Sequence, residues 1–140
     1  MNIKLGHVFA ATAILALCVA GRSSAGEKDP DAPDYVKIDR VKLTATGQIS
    51  AVRNSPDKNE YIGCWINAYS TGRATEAYCR AHDAAATGSA GEVLCMSTAP
   101  QFIQAVSAIN SDSILEFDWD ANGKCTYLYT ETASYVPPKT

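Results

Sequence analysis

The run from Tyr61 to His82, YIGCWINAYSTGRATEAYCRAH, constrains this chain more than any other stretch. Two segments rich in aromatic and β-branched residues flank Ser70-Thr71-Gly72-Arg73, the composition of a β-hairpin around a short turn. A turn centred between Thr71 and Gly72 sets Cys64 opposite Cys79, Trp65 opposite Tyr78, Tyr61 opposite His82 and Asn67 opposite Glu76. Strand side chains alternate, so two faces follow. Ile62, Cys64, Ile66, Ala68, Ala77, Cys79 and Ala81 form an apolar face suited to a core. Tyr61, Trp65, Asn67, Tyr69, Tyr78, Arg80 and His82 form the other, aromatic and polar together, and are the candidate binding residues.

The cysteines make sense only with the start of the chain. Lys4 precedes an apolar run, Val8 to Ala20, which is short for a bilayer span, and Ser23 and Ala25 stand as an A-x-A-like cleavage site. Residues 1–25 therefore read as a secretory signal peptide. A lipoprotein anchored at Cys18 is the lesser alternative, because Leu17 is larger than the residue that normally precedes such a cysteine. Cleavage after Ala25 removes Lys4 and Arg22, so 12 basic residues fall to 10 against 15 acidic ones, a net charge of −5. Such a balance argues against nucleic acid as a partner. No second apolar run suggests a membrane span in the mature form. Cys18 also leaves, and four cysteines remain at 64, 79, 95 and 125. In a secreted or periplasmic chain an even number without C-x-x-C spacing reads as disulfides rather than a metal or redox site. Three connectivities are possible, and the strand geometry favours Cys64–Cys79 with Cys95–Cys125.

Residues 26–37, with acidic residues and two prolines, read as a flexible leader, and 38–133 as one β-rich domain. Arg40 to Arg53 alternates apolar and polar, which predicts a long first strand with a bend or bulge at Gly47. The central hairpin follows, then a small-residue loop over 83–91 and a short strand, Glu92 to Ser97, which closes a second hairpin with Cys95 against Cys79. Thr98 and Gln101 stand at capping-box spacing, with Pro100 in the first turn of a predicted helix over 99–109. A strand over 113–119, an Asn-Gly turn at Asp120 to Gly123, and a strand over 124–131 end the domain. In that last strand Cys125, Tyr127 and Tyr129 fall on one face. Residues 134–140 are a tail. The order suits a mainly β fold with one short helix, as a small OB-like, partly open barrel. A β-sandwich or a curled antiparallel sheet with one packed helix is the alternative.

Catalytic chemistry finds few candidates. His82 is the only histidine left after cleavage, and nothing resembles G-x-S-x-G, so a nucleophilic triad has little to draw on. Asp118, Asp120 and Asn122 match D-x-D-x-N-G, the opening of a calcium loop. Tyr129 stands where the loop would need its bidentate Glu, so an ordinary Asn-Gly hairpin is the simpler reading. Asp118 with Asp120, or with Glu116, could be imagined as a glycosidase pair, but carboxylates along one exposed strand are usually just solvated. The sequence thus points to an exported, non-enzymatic binding or inhibitor-like module for a protein or carbohydrate ligand, using the hairpin's aromatic face without a cofactor. A structural secreted or envelope protein with a weak calcium site is the second reading, and a hydrolase the last.

Overall fold

The computed structural model describes residues 35–83 and 91–133. The expected signal peptide, most of the acidic leader, the centre of the small-residue loop and the C-terminal tail lie outside the described residues. The elements run β1 (Lys37–Asp39), β2 (Thr44–Gln48), α1 (Ile49–Asn54), β3 (Tyr61–Asn67), β4 (Glu76–His82), β5 (Glu92–Ser97), α2 (Pro100–Ser107), β6 (Ile114–Trp119) and β7 (Cys125–Glu131). They form two antiparallel sheets, ordered β1-β2-β6-β7 and β3-β4-β5. The class is mainly β, as expected. The two sheets do not close on each other, which matches the sandwich or curled-sheet arrangement rather than a closed barrel. One parallel bridge, Met96 to Lys124, laces β5 to the start of β7.

Both sheets turn one face into a shared core. Ile62, Ala77, Cys79, Ala81, Val93 and Cys95 meet Ala45, Leu115, Phe117 and Trp119, and Val52, Phe102 and Val106 of the two helices fill the space between. The disulfides are Cys64–Cys79 and Cys95–Cys125, closing loops of 15 and 30 residues. Loop-closure entropy puts them at about 3 and about 3.6 kcal/mol. The first staples a hairpin, while the second joins the two sheets.

Four expectations are corrected. The long first strand, 40–53, is broken into a turn, a five-residue strand and a second helix. Asp39 Oδ1 accepts hydrogen bonds from the backbone N–H groups of Val41 and Lys42, both at 2.9 Å, and so folds the chain back into a β1–β2 hairpin. Leu43 leaves that turn with φ 57°, and Val41 is 94% exposed. Gly47 is neither bend nor bulge, because β2 pairs with β6 in unbroken register. Its role is close approach: a Cβ there would stand 3.2 Å from Ile62 Cγ2. The capping box is not made, since Ala99 is the N-cap without a side-chain bond and Pro100 opens α2. Finally, a bulge between Asp118 and Trp119 shifts the β6–β7 register by one residue. Cys125 therefore faces the core with Trp119, while Tyr127 and Tyr129 point outward opposite Asp118 and Glu116.

Candidate functional site

The hairpin register is the one the turn composition predicts: Tyr61 pairs with His82, Cys64 with Cys79, Trp65 with Tyr78 and Asn67 with Glu76. β5 adds a third strand, placing Met96 beside Tyr78, Leu94 beside Arg80 and Glu92 beside His82. With the inner face in the core, these residues share the outer face of the three-stranded sheet. Trp65 is 41% exposed, Tyr69 37% and Leu94 48%.

Trp65 and Tyr78 stack nearly flat, with centroids 5.2 Å apart and an interplanar angle of 10°. Next along β3 comes Gly63, where an added Cβ would meet nothing within 4 Å. The missing side chain leaves a shallow, open depression of about 260 Å³ between Tyr61 and Trp65, with Arg80 beside it. A side chain at this position would project into that space, so Gly63 shapes the surface through what it lacks.

Two carboxylates organise the polar groups. Glu92 holds Arg80 through two bonds of 3.0 and 2.8 Å and accepts the Tyr61 hydroxyl at 2.9 Å. The Arg80 guanidinium also lies 4.9 Å from the Tyr61 ring centre. Glu76 accepts the Tyr78 hydroxyl at 2.7 Å, Arg73 at 2.9 Å and the Tyr69 hydroxyl at 3.1 Å. Arg73 in turn sits 4.2 Å above the Tyr69 ring. The Arg80 pair holds the Glu92 carboxyl below the usual range, and the Tyr78 hydroxyl, with Arg73, does the same for Glu76. Burial, then the bond to Glu92, raises the Tyr61 hydroxyl, while Glu76 raises that of Tyr78. The aromatic rings are thus pinned by ionic partners, and both arginines are neutralised within the face.

Of the seven binding candidates, Tyr61, Trp65, Tyr78 and Arg80 come together around the depression or its stacked wall. Tyr69 and Asn67 stand toward the turn end. His82, the seventh candidate, is buried at 9% exposure, with its ring 5.5 Å from that of Tyr61. Gly63, Arg73, Glu76, Glu92, Leu94 and Met96 belong to the same face but were not among the candidates. Alternation along β5 carries the signal for Glu92, Leu94 and Met96, once Cys95 is set against Cys79.

Elsewhere, Asp118 Oδ1 accepts the Thr44 hydroxyl at 2.6 Å, and Asp120 Oδ1 caps its own turn by accepting the N–H groups of Asn122 and Lys124. Gly123 supplies the positive φ, 73°, that this turn requires. Among the described residues no group of three or more His, Cys, Asp or Glu is placed to hold a metal ion. No helix among them is long and apolar enough to cross a membrane. No family model, curated protein or solved structure matches this chain.

Proposed function

We propose that this is an exported, non-enzymatic binding module that takes its ligand on the outer face of the β3-β4-β5 sheet. The observation that carries the reading is the stack of exposed Trp65 on half-buried Tyr78, beside the depression over Gly63. A sheet of this size gains nothing in its core from aromatics on the solvent side, and an aromatic platform with polar groups at its edge is typical of recognition surfaces. Two disulfides suit a chain that matures in an oxidising compartment.

Carbohydrate is the ligand class that fits best. Arg73 and Arg80, on this face, are each ion-paired to a carboxylate of the same face. The face offers a flat apolar platform for a sugar ring, edged by the side chains of Arg80, Glu92 and Asn67 as hydrogen-bonding groups. A protein ligand is the alternative. The test is a glycan array probed with the oxidised domain and with the Trp65→Ser, Tyr78→Ser double variant. The expected result is glycan binding by the parent that is lost in a double variant that still folds with both disulfides. A double variant that cannot fold would return these aromatics to a structural role, and equal binding by both proteins would move the site elsewhere.

A further inference from the structure

We infer that the open edge of β7, beside α2, is a second binding site, and that it takes the C-terminal end of an extended peptide as an added strand. The site shares no residue with the aromatic face. β7 stands last in its sheet, so among the described residues β6 is its partner strand along most of its length. Every second residue of such a strand presents its N–H and C=O to the open side. Natural edges are commonly blunted by lysine or proline, and β7, CTYLYTE, contains neither. The bulge bends its first residues, but from Tyr127 to Glu131 it pairs with β6 in regular register.

A groove of about 400 Å³ runs along this edge. Five consecutive residues, Lys124 to Leu128, line one wall. Strand side chains alternate, and here Cys125 faces the core while Tyr127 is exposed, so a space that touches all five lies against the edge and its backbone. The other wall is α2, with Phe102 and Ala105, and Ala99 at its N-cap. The two alanines have short side chains that leave the space between helix and strand open. Phe102 and Leu128 supply apolar lining for the side chains an added strand would turn inward.

β5 already takes the first step along this edge. Met96 N–H donates to the Gly123 carbonyl at 3.0 Å, and Met96 bridges Lys124 in the parallel sense. The chain then departs: Ser97 Oγ accepts the Ala99 N–H at 3.3 Å, and Pro100 opens α2. An added strand therefore runs along β7 as far as Lys124 and ends there, because Met96 holds the next place. Lys124 sets its direction. It is exposed, and among the described residues it is the one charged side chain lining the groove. A peptide antiparallel to β7 brings its C-terminal carboxylate to this ammonium, whereas a parallel one brings an amine, which the lysine repels. Backbone bonds to β7 supply the affinity, and alternate side chains facing α2 supply a preference for apolar residues.

The experiment screens the oxidised protein against a random peptide library with free C-termini, seven residues long like β7, and titrates the enriched peptides. Expected are sequences with apolar residues at alternate positions. Amidating the peptide C-terminus, or Lys124→Glu, should weaken binding about tenfold, the size of one charge-assisted hydrogen bond. N-methylation of alternate peptide amides should abolish binding for one set and spare it for the other, as a one-sided strand ladder requires. Gln101→Trp, at an exposed helix position lining the groove, should block the site without disturbing the core, and Gly63→Val should bind peptide like the parent. No enriched peptide, equal affinity for amidated and free peptides, or binding that survives Gln101→Trp would overturn the proposal. A dimer in sedimentation that is lost in Gln101→Trp would give the edge to a second copy of the chain instead. Peptide binding that appears only when residues 134–140 are removed would give it to the chain's own tail.

Discussion

Replacing Gly63 with alanine should stabilise this protein, and the same change at Gly47 should destabilise it. Both glycines lie inside strands and neither has positive φ, so backbone conformation does not separate them. Space does. At Gly63 a Cβ meets nothing within 4 Å, and the change acts through the unfolded chain, a gain of about 0.4–1 kcal/mol. At Gly47 the Cβ would stand 3.2 Å from Ile62 Cγ2 and 3.4 Å from Val36 Cγ2. Ile62 and Val36 are buried and β-branched, with little rotamer freedom to yield. Overpacking of this kind costs about 1–3 kcal/mol, which exceeds the gain in the unfolded chain. For a domain of this size each kcal/mol shifts the melting temperature by about 4–8 °C. Thermal unfolding of the oxidised protein should therefore place Gly63→Ala a few degrees above the parent and Gly47→Ala several degrees below. Gly63→Val extends the test to function: it should melt at or above the parent temperature and lose glycan binding at least tenfold. A Gly63→Ala protein that melts several degrees low would show that something packs over that position, and the open depression would go with it.

Acid should loosen the aromatic face before the core. Glu76 and Glu92 both titrate below their ordinary value of 4.5 in the folded protein, so their stabilising effect is complete above about pH 4.5 and is lost as pH falls through the lowered folded values. Carboxyl NMR titration should give midpoints under 4.5 for both and a flatter acid limb in Glu76→Gln; midpoints at or above 4.5 would contradict the ionic pinning of Tyr78 and Arg80. Asp120→Ala should lower the melting temperature by a few degrees through loss of the bonds to Asn122 and Lys124, and millimolar calcium should leave the melting of the parent unchanged. A calcium-dependent rise that disappears in Asp120→Ala would instead establish a cation site in that turn.

What the sequence determined by itself is the central hairpin. A turn of defined length and a side-chain period of two leave one register, and a slip by one residue would turn Ile62, Ala77 and Ala81 out to water. The same logic reaches β5, the 120–123 turn and the Cys64–Cys79 pair, because each is fixed by neighbours close in sequence. Only tertiary structure decided the rest. Alternation over 40–53 is shared by a five-residue strand and the start of a short helix, and the break depends on Asp39 capping a turn so that β1 folds back on β2. Tyr127 and Tyr129 part from Cys125 because Cys95, from the other sheet, draws Cys125 inward across a bulge that no local pattern announces. The candidate face was visible as a list of aromatics. Its ionic partners Glu76 and Glu92, the burial of His82 and the gap over Gly63 come from which chains lie beside it and above it, and only packing in three dimensions settles that.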